Sequence, residues 1–178
     1  MPTSQRNIIK NRLAALLSGQ TDAGARVYTN FAKSLEDEHD LPAIVVRSTG
    51  ERASIVLKAP REYERVLSVE IVCMARATDD TDDKLDALAQ QVEDVLFYNE
   101  TLPDTNGESQ AVDVAYTGAT MQIDIGRTEI GGIVLNFDVT YITRIDPITA
   151  DLETVAYQMR ADGTDKVLFS EEISMPQT

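Results

Sequence analysis

From Gly132 to Ile145 the chain alternates without a break. Ile133, Leu135, Phe137, Val139, Tyr141, Thr143 and Ile145 fall on one side of an extended chain, and Asn136, Asp138, Thr140 and Arg144 on the other. Successive strand side chains point to opposite faces, so this pattern predicts one core-facing wall and one polar wall. Its β-branched and aromatic content suits a strand. The run is long for an ordinary strand, which predicts a central position and an end projecting past its neighbours. The polar wall, carried by Asn136, Asp138 and Thr140, faces solvent, a channel or a partner.

Taken in order, the rest of the chain predicts two helices and several more strands. Thr3 or Ser4 caps a first helix, in which Ile9, Leu13, Leu16 and Leu17 share a face, Ile8 lies at its margin, and Gly19 ends it. Residues 20–40 read as polar loop around an apolar island at Val27, Tyr28 and Phe31. Leu41–Arg47 is a short strand, Ser48-Thr49-Gly50 a turn, and Ala53–Lys58 a second short strand. The segment from Arg47 to Arg65 gathers Arg47, Arg52, Lys58, Arg61 and Arg65 into a basic hairpin with few apolar anchors, broken at Pro60 and expected to be mobile. Arg65–Ala77 is a strand apolar on both sides, which again predicts a central place.

A second helix spans Thr81–Tyr98. Leu85, Leu88, Val92 and Val95 form its stripe, widened by Ala89, Leu96 and Phe97. Asn99–Gln110 is loop by composition. Ala111–Ile125 is a strand region interrupted at Gly118, and Gly126–Gly131 is a turn. Beyond Asp146-Pro147, Asp151–Arg160 and a return through Val167 and Phe169 form a hairpin about Ala161-Asp162-Gly163-Thr164, followed by a polar, mobile tail.

Charge changes this picture in one respect. The net charge is −14, yet residues 1–77 carry 11 basic and 9 acidic residues while residues 78–178 carry 5 and 21. Tight binding to a phosphate backbone is disfavoured. An uneven distribution gives a molecule whose two sides attract each other's copies, or simply a solvated acidic surface. At 178 residues the chain is long enough for a core without staples, and the lone Cys73 excludes an internal disulfide, pointing to a reducing interior. No apolar run has the length of a signal-peptide core or a membrane span.

Candidate chemistry is sparse. His39, the one histidine, sits in the acidic turn Glu36–Asp40, and Cys73 lies within a strand pattern, so the two suggest no dyad. The run Asp79-Asp80-Thr81-Asp82-Asp83 suits a helix N-terminus better than a metal, since it lacks the glycine and distal glutamate of a calcium loop. Asp104-Thr105-Asn106-Gly107 lacks partner ligands too. No nucleophile elbow, zinc-protease, Cys-x-x-Cys or phosphate-loop motif occurs. The strands carry no basic and aromatic platform for RNA. The sequence therefore proposes no catalytic, cofactor or metal residues and a noncatalytic role.

The order of elements resembles the tail terminator (tail completion) proteins of long-tailed bacteriophages, the minor tail protein U type. The resemblance is carried by the helix ending in Leu16-Leu17, by Gly24-Ala25-Arg26-Val27-Tyr28, by Leu41-Pro42-Ala43-Ile44-Val45-Val46, by Val66–Ala75 running into Asp82–Leu88 and Val92–Leu96, and by the late strand Ile133–Tyr141. It implies an α/β (α+β) domain over residues 1–146, with a central mixed, largely antiparallel sheet and helices packed on it. The resemblance covers about residues 5–145; residues 147–178, the C-terminal hairpin extension and tail read from their own pattern, go beyond it. The resemblance further implies a homohexameric ring that caps the tail tube, stops its polymerisation and offers the head-joining surface. The implied partners are the tail tube protein and a head–tail connector protein. DNA passes through without specific binding, no membrane is involved, and the protein, assembled in the host cytoplasm, resides in the virion.

On that reading Arg47, Arg52, Lys58, Arg61 and Arg65 are the candidate subunit or tube interface, and Asn136, Asp138 and Thr140 the candidate lumen-facing surface. Two other readings stay open: another connector ring, an adaptor or stopper, and a small-ligand or enzyme domain on a ferredoxin-like scaffold. A deep apolar pocket with convergent polar groups would favour the latter.

Overall fold

The computed structural model describes residues 4–29, 41–76, 80–124, 130–145, 154–160 and 167–174; for 122–124, 154–160 and 167–174 it gives the backbone course. The elements are α1 (Gln5–Leu17), β1 (Val27–Tyr28), β2 (Ala43–Lys58), β3 (Arg61–Arg76), α2 (Thr81–Phe97), β4 (Asp113–Asp124), β5 (Ile130–Ile145), β6 (Thr154–Arg160) and β7 (Val167–Ser174). Two compact units result, Met1–Arg144 and Ile145–Thr178.

The first unit is an α+β domain with a five-stranded mixed sheet in the order β1-β2-β3-β5-β4. β1 runs parallel to β2, while β2 with β3 and β4 with β5 are antiparallel. Burial along β5 alternates from Gly131 to Tyr141 as the sequence pattern requires. Ile133, Leu135, Phe137, Val139 and Tyr141 join Leu67, Val69, Ile71 and Cys73 of β3 in the main core, together with Ile9, Leu13 and Leu17 of α1 and Leu85, Leu88, Val92 and Leu96 of α2. Both helices thus cover one face of the sheet. The opposite face carries only a small apolar cluster, Ala43, Val45 and Met74 with Tyr28, Leu41, Val72 and Ile130 packed against it. Burial pushes the Cys73 thiol up to about 12, so it is a core side chain without thiolate character at neutral pH.

Local signals explain the helix ends. Ser4 is the N-cap of α1 and accepts from Asn7 N–H at 3.4 Å. Gly19, at φ +75°, follows the C-cap Ser18. Asp82 and Asp83 occupy the first turn of α2, and Lys84 Nζ lies 2.8 Å from Asp80 Oδ1. In the 99–110 loop, Asp104 accepts from Asn106 N–H at 2.8 Å and Glu108 N–H at 2.9 Å, so its carboxylate is engaged by its own turn. Those two N–H groups, Glu108 first, hold its carboxyl below the usual range.

Several expectations need correcting. Ser48-Thr49-Gly50 does not turn the chain: Ala43–Lys58 is one 16-residue strand with a bulge between Ser48 and Gly50 and a further register shift between Ile55 and Leu57. A bulge adds one residue to the strand and reverses the parity of the side chains beyond it. Ile44 and Val46 face the helices before it; afterwards Glu51, opposite Leu67, takes that face. The turn falls instead at Ala59-Pro60, where proline cannot extend the ladder. The interruption at Gly118 is a further register irregularity, with φ +146° inside an otherwise continuous β4. Gly131 belongs to β5, not to a turn, and passes so close to α2 that an added Cβ would meet Thr81 Cγ2 at 2.6 Å. Phe97 does not widen the core stripe of α2; it is exposed.

In the second unit β6 and β7 form an antiparallel hairpin, registered from Thr154↔Ser174 to Arg160↔Val167. The expected polar tail is strand as far as Ser174. His39, Phe31, Asp79 and the Asp162-Gly163 turn lie outside the described residues.

Candidate interface at the hairpin arm and the open sheet face

The β2–β3 ladder runs from Ala43↔Met74 to Lys58↔Arg61. Beyond Val46, β2 has no buried side chain, and β3 has none before Leu67. The distal halves of both strands therefore form an arm that leaves the core behind. The end of β5 follows β3 outward: Arg65 Nε donates to Thr143 Oγ1 at 2.9 Å, and Arg144 Nε lies 4.0 Å from Glu62 Oε1.

The five basic residues do not form one patch, because pleat and bulge send them to different faces. Arg47 Nε donates to Glu70 Oε2 at 2.6 Å on the face away from the helices. On that same face Arg52 Nη2 lies 2.9 Å from Asp138 Oδ2, and Ser68 Oγ donates to Asp138 Oδ1 at 2.8 Å. Two groups of candidate residues far apart in sequence thus meet. Asn136 Nδ2 donates to Gly118 O at 3.3 Å, and half-buried Thr140 pairs in register with Asp113. Lys58 and Arg61 face each other across the tip, both exposed and with no ion pair among the described residues.

Arg65 points the other way, into a cluster at the base of the arm. Its Nη1 donates to Glu51 Oε2 at 2.9 Å; Tyr141 Oη donates to Glu51 Oε1; Arg6 Nε lies 3.7 Å from that same oxygen. Burial raises the Glu51 carboxyl, but the Tyr141 hydrogen bond and the Arg6 and Arg65 charges outweigh it and hold the group below its ordinary value. Burial first, then the Glu51 hydrogen bond and charge, push the Tyr141 phenol up to about 12. Sequence reading missed this cluster, since parity beyond an unseen bulge is unreadable.

It also missed the apolar surface of the arm. Ile55, Val56 and Leu57 are 52%, 58% and 45% exposed. The visible signal was three consecutive apolar residues where a half-buried strand would alternate. A second exposed apolar surface lies at the other edge of the sheet. Phe97 and Tyr116 meet edge-on at 6.5 Å, Tyr116 leans on Phe137 at 5.4 Å, and Tyr98 stands fully out. Burial and the neighbouring Glu93 raise the Tyr116 phenol.

A groove of about 480 Å³ lies between α2 and the start of β2, lined in part by Leu41, Pro42, Ala75 and Leu88, with Asp22 and Lys84 at its rim. Those two charges are already engaged: Asp22 Oδ2 accepts from Gln91 Nε2 at 2.9 Å, and Lys84 pairs with Asp80. Among the described residues no three His, Cys, Asp or Glu side chains group to hold a metal, and no helix is long and apolar enough to cross a membrane.

No family model and no curated protein matches the chain. A chain from the solved structure titled "Virion of native gene transfer agent (GTA) particle" superposes with a TM-score of 0.41 at 19% identity, covering 72% of this chain and 82% of that chain. Similarity at that level identifies neither a shared fold nor a function.

Proposed function

We propose that the chain is a noncatalytic structural subunit of a phage-type virion, a tail terminator that forms a six-membered ring on the end of the tail tube. The ring ends tube polymerisation and offers the surface that joins the head. The observation that carries this reading is the arm. A strand ribbon held beyond its core gains little from its own burial, and it presents Ile55, Val56 and Leu57 to solvent. Such a feature is built for a partner. The resemblance in the order and core positions of the elements supplies the kind of partner.

The open face of the sheet suits a conduit wall. Arg47 and Arg52 are neutralised there by Glu70 and Asp138, which weakens their pull on a DNA backbone. Native mass spectrometry across a concentration series, alone and with tail tube protein, tests assembly. The expected result is a discrete closed oligomer, favoured by concentration or by tube protein. A monomer under every condition contradicts the reading.

A further inference from the structure

We infer that two copies of this chain join head to tail, the outer edge of the β2 arm of one adding to the outer edge of β4 and the adjoining Phe97–Tyr98–Tyr116 surface of the next. The inference deepens the proposed assembly and rests on it for the existence of an oligomer. It names the two surfaces that meet.

Strand order provides the first observation. β4 closes one end of the sheet. At the other end β1 pairs only with Ile44 and Val45, so from Val46 to Lys58 the outer edge of β2 has no strand beside it among the described residues. Among the described residues the sheet therefore has two open edges on opposite sides. An unpaired edge presents a row of N–H and C=O groups that another strand can complete. The two stretches also match in length, since Arg47–Lys58 spans as many residues as the 12 of β4. At about 3.3 Å per residue, each is an edge of roughly 40 Å.

Side chains favour the same pairing. Monomeric proteins blunt an edge with charges and prolines along its length. The arm carries Arg47, Arg52 and Lys58 and a register shift between Ile55 and Leu57, yet beside its tip it leaves Ile55, Val56 and Leu57 exposed, and β4 exposes Tyr116 and Met121. Toward its tip the arm holds Lys58 and Arg61, with no ion pair among the described residues, whereas β4 holds Asp113 and Asp124 and no basic residue, with Glu93 beside Tyr116. In antiparallel register two arms would set Lys58 against Arg47, and two β4 edges would set Asp113 against Asp124. Only the unlike pairing is complementary in charge. Because the two surfaces differ, the contact is heterologous, and a ring follows when the rotation closes.

Two double variants test this in the full chain. V56E/K58E reverses the arm; T117K/T120K places two lysines on the β4 edge. All four positions are exposed, so both variants should keep the wild-type melting temperature, which circular dichroism checks. Native mass spectrometry then reads assembly at a concentration where the wild type is oligomeric. Each variant alone should run at the monomer mass. An equimolar mixture should give a 1:1 heterodimer or a multiple of it, because it contains one intact arm and one intact edge. Either variant assembling alone as the wild type does overturns the inference, as does a mixture that stays monomeric. A wild type that is monomeric without tube yet caps tubes also overturns it, while leaving the terminator reading intact. Arm variants that self-assemble but no longer bind tube would assign the arm to the tube instead.

Discussion

Phe137→Ala should destabilise the isolated protein by about 3–5 kcal/mol, the range for removing a buried aromatic ring. Phe137 is 1% exposed and is the largest of the fully buried side chains, in the same core as Leu88 and Val92 of α2. Its ring also supports Tyr116 at 5.4 Å, so truncation withdraws a wall from both the core and the exposed aromatic surface of β4. Chemical denaturation of wild type and variant measures the difference. A loss below about 1 kcal/mol would mean that the odd face of β5 is not the tightly packed one.

The next largest effect is expected at the base of the arm. Glu51→Ala removes the acceptor for Tyr141 and Arg65 together and should cost about 1–3 kcal/mol, the penalty for stranding partly buried donors. The same group gives a pH dependence with a definite sign. Its carboxyl is held below the unfolded value, so its contribution is complete above that value and is lost as pH falls through the folded one. The acid limb of the stability–pH profile, below about pH 4.5, should therefore be shallower in Glu51→Gln than in the wild type. An unchanged acid limb would show that Glu51 is not linked to folding.

These two residues also mark how far the sequence could be read. Phe137 was legible because β5 alternates strictly, and in a sheet with one face buried that alternation fixes every side chain's direction. The stripes of α1 and α2 were legible for the same reason at helical period. Glu51 was not legible: a single extra residue at the Ser48–Gly50 bulge turned it from the polar face to the core face. The same bulge put Arg52 on the open face with Arg47 and brought Glu51 to the face where Arg65 of β3 already points. Composition revealed the surplus of charge in this segment, but partner choice depends on strand order, which no local pattern encodes. β1 escaped notice because two residues carry no period. Phe97 reads as core by spacing alone, yet at the last turn of α2 it lies beyond the strand that could cover it and rests against Tyr116 of the edge.

The most direct measurement is negative-stain electron microscopy of tail tube protein polymerising with and without this protein. A tail terminator should appear as a ring on one end of each tube and should hold tube length constant once bound. Tubes that elongate unchanged with bare ends, or rings that bind only to a connector and never to a tube, would contradict the account.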